Sequence, residues 1–113
     1  MFVNKQLFTR DQIHIVDGDR FVYDPLPELS KVERFLRLSN EITRDNFVYN
    51  VTKGFYCIKN DDTGNEKCLN KNKGRKHPDV NLVTLRKLRK FFDPYNRYFY
   101  ELAGQRFEWP GAY

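Results

Sequence analysis

Serine, histidine and cysteine are scarce, at two residues each in 113. Ser30 and Ser39 fall in or beside a predicted amphipathic helix, and neither has the Gly-x-Ser-x-Gly setting that presents a nucleophile. Hydrolysis through an activated serine thus finds little support in the sequence. A zinc centre needs four ligands, and two cysteines with His14, placed in a predicted strand, and His77 make a poor set, so no metal is expected. No run of 18 apolar residues occurs, so nothing spans a membrane, and Met1 to Lys5 is too short and polar for a signal peptide. Repeats, heptads and low-complexity tracts are absent as well. The apolar fraction is only 40%, but Phe and Tyr together supply seventeen residues, so aromatic rings must furnish much of the core. The length suits one domain or part of one.

Charge is distributed unevenly. Between Lys67 and Lys90 stand nine basic residues and one acid, Asp79, so this stretch carries +8 of a net +5 while the remainder is negative. Such a block attracts polyanions, whether nucleic acid, sulfated glycan or nucleotide phosphate. No specific nucleic-acid-binding motif accompanies it.

Along the chain, Gln12 to Val16 is apolar and β-branched and ends in Asp17-Gly18-Asp19, which predicts a buried strand followed by a turn, with Phe21-Val22-Tyr23 briefly extended. Asp24-Pro25 is a helix N-cap with proline in the first turn, and Leu29, Val32, Phe35 and Leu36 form an apolar stripe of a helix ending near Leu38, with Lys31, Glu33, Arg34 and Arg37 on its other faces. Thr43 to Asn46 reads as loop and Phe47-Val48-Tyr49 as a short extended piece. Asn81 caps a further helix with Leu82, Leu85, Leu88 and Phe92 as its stripe. Asp93-Pro94 is expected to interrupt it before a second helix that stops at Gly104, and the rings of Phe107 and Trp109 are expected to fold back.

Phe55 to Ile58 and Lys67 to Leu69 are strand ends flanking Asn60-Asp61-Asp62-Thr63-Gly64-Asn65, a hairpin with a long tip. The ten residues between Cys57 and Cys68 are rich in turn formers, a spacing that lets the hairpin bring both sulfurs together, and a disulfide is the natural inference beside the alternative of two free thiols. Asn50-Val51-Thr52 is an N-glycosylation acceptor triplet, and both features suit an oxidising secretory lumen. Directly after the hairpin, Lys73-Gly74-Arg75-Lys76-His77 joins a permissive glycine to a cluster of cations. Such a loop can turn backbone N–H groups and a guanidinium fork onto one phosphate, although a solvated basic turn has the same composition.

Taken in order, Val16-Asp17-Gly18-Asp19-Arg20, Asp24-Pro25, Val32-Glu33-Arg34-Phe35-Leu36, Thr52-Lys53-Gly54-Phe55-Tyr56-Cys57, Cys68-Leu69, Lys73 to Pro78, Leu85 to Leu88, Pro94-Tyr95-Asn96 and Gly104 through Trp109 resemble the heparan sulfate glucosamine 3-O-sulfotransferases over nearly the entire chain, closest to their isoform-1-like branch. The resemblance implies an α/β fold: residues 1–113 would be the C-terminal part of a P-loop-like sulfotransferase domain, a parallel sheet with flanking helices, plus the disulfide-bonded β-hairpin. It implies a Golgi-lumenal enzyme that moves the sulfuryl group of 3′-phosphoadenosine 5′-phosphosulfate (PAPS) to the 3-hydroxyl of glucosamine in heparan sulfate.

Carried over residue by residue, the resemblance gives Lys73, Gly74, Arg75, Lys76 and His77 to the 3′-phosphate side of the sulfonucleotide and Phe55 to its adenine. Lys73 and Lys53 become candidates for glycan contact. The family's 5′-phosphosulfate loop and glutamate base lie in a portion that this sequence does not match. No catalytic residue is therefore expected here, and the chain is expected to be a fragment, inactive alone. Two alternatives stand beside this expectation: a non-catalytic heparin- or polyanion-binding module, and the N-sulfotransferase branch, which shares the Lys-Gly-Arg loop.

Overall fold

Asp17 ends an extended segment and starts a helix. In the computed structural model, which describes residues 7–60, 62–70 and 78–109, its carboxylate accepts the backbone N–H groups of Asp19 (3.1 Å) and Arg20 (3.2 Å) and caps α1, Gly18–Tyr23. The expected turn at Asp17-Gly18-Asp19 and the expected extension at Phe21-Val22-Tyr23 are thus both corrected to helix. The physical reason is that an aspartate followed by open donors serves a helix N-terminus as readily as a turn. The strand expected over Gln12 to Val16 is also corrected. Gln12 closes a 3-10 turn, Arg10–Gln12, and Ile13 then leaves with extended dihedrals (φ −123°, ψ 120°), but no strand pairs with this stretch among the described residues.

α2, Pro25–Phe35, follows at once. Asp24 accepts the Leu26 N–H at 3.3 Å, and Pro25 occupies the first turn, where its missing donor costs nothing. The helix stops three residues before Leu38. Arg37 adopts φ 57°, its N–H reaches the Arg34 carbonyl (3.1 Å), and the Leu38 N–H reaches that of Glu33 (2.9 Å), a Schellman closure made without glycine. What α2 buries differs from the sequence expectation. Leu29, Val32 and Phe35 are only half-buried and Leu36 is exposed, whereas Glu28 and Glu33 are almost completely enclosed. Both act as acceptors for backbone donors: Glu28 takes the buried Asp17 N–H, and Glu33 takes those of Glu41 (2.9 Å) and Ile42 (3.0 Å).

A 3-10 turn, Arg44–Asn46, leads into the sheet and is tied back to α2 by Arg44, which holds Asp24 through two parallel bonds of 2.6 and 3.0 Å. The Arg44 guanidinium beside it is the main cause holding the Asp24 carboxyl below its ordinary value. Strands β1 (Phe47–Asn50), β2 (Phe55–Lys59) and β3 (Glu66–Lys67) form an antiparallel sheet in the order β1-β2-β3, with Val48 opposite Cys57 and Tyr49 opposite Tyr56. The expected hairpin is present, and β1 extends it to a meander. Gly54 (φ 74°) closes the first connection by donating to the Asn50 carbonyl at 2.8 Å, a conformation that favours glycine.

The chain divides into two compact units, Met1–Arg75 and Lys76–Tyr113. The second is built on α3, Leu82–Ala103, whose first turn is capped by Asn81 accepting the Val83 N–H at 2.8 Å. The break expected at Asp93-Pro94 does not occur. Pro94 lies inside the helix, its fixed φ compatible with helical geometry, and Asp93 pairs with Arg97 one turn on at 2.9 Å. Gly104 (φ 63°) stops the helix as expected, with Gln105 donating to Tyr100 and Gly104 to Glu101, both at 3.3 Å. The tail turns back, burying Phe107 against Phe99, Tyr100 and Trp109 with ring centroids 4.9 to 5.9 Å apart. Of the expected core stripe, Leu82, Leu88 and Phe92 remain exposed and Leu85 is half-buried. Among the described residues, no helix is long and apolar enough to cross a membrane.

Candidate anion-binding site

Antiparallel pairing of β2 and β3 sets Ile58 opposite Lys67, which brings the residues just outside that pair, Cys57 and Cys68, together. Their sulfurs are bonded, with Cα atoms 4.5 Å apart, and Cys57 is almost fully buried. Glu66 stands beside them, its carboxylate and the two sulfurs lying within 4.8 Å of one another. With each sulfur committed to the other, the trio offers no thiolate to a metal.

Asn50 lies at the end of β1, where the chain turns towards β2. Its side-chain oxygen accepts the Lys53 N–H at 2.9 Å, and its amide nitrogen donates to Glu66 Oε2 at 3.3 Å and lies 3.9 Å from Cys68 Sγ. One side chain therefore joins the β1–β2 connection, β3 and the disulfide. Lys53 reaches further, its ammonium donating to the Leu69 carbonyl at 3.1 Å while standing 5.9 Å from the centroid of the Phe55 ring, inside cation–π range. Phe55 itself is half-buried at the start of β2.

Of the residues singled out in the sequence, the structure thus brings together Asn50, Lys53, Phe55, Cys57 and Cys68 on one small sheet. Lys73, Gly74, Arg75, Lys76 and His77 lie outside the described residues. His14, considered above as a ligand, is not in a strand; its ring stacks on Phe35 at 5.1 Å. Sequence reasoning missed the bond from Lys53 to Leu69 and the Asn50 hub. The triplet at Asn50 and the motif at Lys53 drew attention for other reasons, and only the register of the sheet shows what they hold.

The model of the sulfotransferase domain matches residues 3–104, and the chain belongs to the sulfotransferase-domain family. Within it, the chain is similar to heparan sulfate glucosamine 3-O-sulfotransferase 5 of Mus musculus and of Homo sapiens, 48% identical to each over 103 residues, which is 91% of this chain and 30% of theirs. It is also 45% identical over 105 residues to heparan sulfate glucosamine 3-O-sulfotransferase 3A1 of Mus musculus, covering 92% of this chain and 27% of that one. The chain spans less than a third of the length of these relatives.

Proposed function

We propose that this chain forms part of an enzyme that transfers the sulfuryl group of PAPS to the 3-hydroxyl of glucosamine in heparan sulfate, and that it supplies the grip on the nucleotide's 3′-phosphate. The observation that carries the proposal is the 48% identity to 3-O-sulfotransferases over 91% of the chain, a span that includes the disulfide-braced hairpin and the Lys-Gly-Arg motif that follows it.

Sulfuryl transfer depends on aligning donor and acceptor and on neutralising charge on the phosphates of the leaving nucleotide. The residues assigned here suit that task. Arg75 offers a planar fork for bidentate contact, Gly74 lets backbone N–H groups approach an oxyanion, and Lys73, Lys76 and His77 add positive charge. Phe55 offers the adenine an aromatic face. The transferring centre, its base and the grip on the 5′-phosphosulfate are not assigned to any residue of this chain. The fold proposed for the intact domain is the parallel sheet with flanking helices. It accounts for the extended, unpaired stretch from Ile13 and for the exposed Val16, Leu82, Leu88 and Phe92, which a larger domain would cover. A disulfide and an acceptor triplet at Asn50 agree with work in the Golgi lumen.

The test is a transfer assay on the protein at its natural length, with PAPS and N-sulfated heparan as donor and acceptor. New sulfate is expected on the glucosamine 3-hydroxyl. Sulfate on the amino group instead would move the protein to the N-sulfotransferase branch. Binding to long polyanions alone, without nucleotide dependence and lost steeply with salt, would replace the enzyme by a polyanion-binding module, the reading favoured by the +8 stretch taken by itself.

A further inference from the structure

The first half of α3 is crowded with like charges. Arg86, Lys87, Arg89 and Lys90 follow closely on one another, no acid occurs on the helix before Asp93, and none of the four has an ion-pair partner among the described residues. Arg86 with Arg89, Arg86 with Lys90, and Lys87 with Lys90 stand one helical turn apart, a spacing at which like charges destabilise a helix. A pattern that works against the helix carrying it points to a purpose outside the helix. Arg86, Lys87 and Lys90 are exposed and Arg89 is half-buried. At helical pitch the four fall within an arc of about 160°, and Arg97 falls in the same arc. Leu88, Phe92 and Tyr95 lie on the opposite side, also exposed. The apolar side is the one a larger domain would cover, which leaves the basic side facing outward.

Further along, Arg97 lines a groove of about 480 Å³ between α3 and the tail that turns back against it. Tyr100 and Trp109 give this groove aromatic surface, their ring centroids 5.5 Å apart. Arg106 brings a guanidinium and Glu101 a carboxylate, and neither has a side-chain partner among the described residues, whereas Arg97 is held by Asp93. Donors for anions, an acceptor for hydroxyls and an apolar wall together match a sulfated saccharide. Its sulfates and carboxylates accept from arginine, its hydroxyls donate to a carboxylate, and its C–H faces rest on rings. A nucleic-acid duplex presents phosphate acceptors along its outside and would set like charge against Glu101. The helix rises about 17 Å from Arg86 to Arg97, so a chain of saccharides, not a single sugar, reaches both ends. We infer that α3 and the tail form a contact surface for a sulfated glycan chain, one saccharide seated in the groove at Arg106 and Trp109 and its neighbours lying along Arg86, Arg89 and Lys90. That this chain is the acceptor rests on the transferase role proposed above.

The experiment uses two variants of the protein at its natural length: a triple exchange of Arg86→Ala, Arg89→Ala and Lys90→Ala, and Arg106→Gln. Binding of a long N-sulfated heparan chain and of duplex DNA is measured over a series of salt concentrations, together with the melting temperature. The triple variant is expected to bind the glycan at least about tenfold more weakly, as for three exposed ion pairs taken together, and with a flatter dependence on salt. Arg106→Gln is expected to lose about tenfold, as for one charge-assisted bond. Because the triple exchange removes like-charge repulsion and introduces the best helix former, its melting temperature should hold or rise, which separates lost binding from lost folding. Unchanged glycan affinity in either variant overturns the inference. So does duplex DNA that the parent binds as tightly as the glycan and that both variants lose equally, which would make the surface a general polyanion patch. If the parent protein transfers no sulfate yet both variants lose glycan affinity, the surface stands and the sulfotransferase role is what fails.

Discussion

Glu28, enclosed on α2, accepts the backbone N–H of Asp17 at 3.1 Å, so the residue that caps α1 is itself held by the helix that follows. The second Glu28 oxygen receives the ammonium of Lys31. Two short helices are thereby fixed to one another by a buried carboxylate rather than by an interlocked apolar seam. Burial pushes the Glu28 carboxyl up, but the bonds from Lys31 and Asp17, together with the Lys31 charge, outweigh it and leave its pKa below the ordinary value.

Glu28→Gln should therefore destabilise the protein at neutral pH by about 1 to 3 kcal/mol, the range for a buried bond to a charged group. A carboxyl whose folded pKa is depressed contributes stability above its unfolded pKa and loses it as pH falls through the folded value. The difference in melting temperature between parent and variant should accordingly be full at neutral pH and shrink once pH drops below the ordinary carboxylate range. A difference independent of pH would mean that the charge on Glu28 plays no part.

Removing the disulfide should cost about 3 kcal/mol from loop-closure entropy, given the sequence separation of 11 from Cys57 to Cys68. Paired Cys57→Ala and Cys68→Ala exchanges, or reduction, should lower the thermal midpoint. In the reduced protein, mass spectrometry after alkylation should show two modified thiols where the oxidised protein shows none.

Pro94 supplies a sharper test of the fold. Inside a continuous α3 it removes a helix hydrogen bond, so Pro94→Ala should stabilise the second unit by about 1 to 3 kcal/mol. Were Asp93 instead the N-cap of a separate helix, proline would sit in its favoured first-turn position and the same exchange would be neutral or harmful. Chemical denaturation of the two proteins decides between them.

What could be read from the sequence was local. Asp24 before Pro25, Asn81 before an apolar stripe and Gly104 after one identify themselves, because a cap is chemistry within four residues. The cysteine pair was legible because a turn-rich segment between them lets one hairpin bring both sulfurs together. The stretch from Gln12 to Val16 was not, since its β-branched run is a strand only if a partner lies beside it, and pairing is a tertiary fact. Glu33 looked like a surface residue by its place off the stripe. It is buried, and its carboxylate accepts the amides of Glu41 and Ile42, contacts eight and nine residues away that no periodicity reveals. At the candidate site, the order of motifs pointed to a sulfonucleotide, and the resemblance made Lys53 a candidate for glycan contact. The geometry turns it towards Leu69, a contact across sixteen residues that depends on the sheet register.

Calorimetric titration of the protein at its natural length with 3′-phosphoadenosine 5′-phosphate addresses the nucleotide role most directly, taken at low and moderate salt and repeated with Arg75→Ala. Saturable binding that survives moderate salt and falls at least about tenfold without the Arg75 fork is the expected result. Binding left intact by Arg75→Ala, or no binding by the parent protein, would contradict the role assigned to the Lys-Gly-Arg loop.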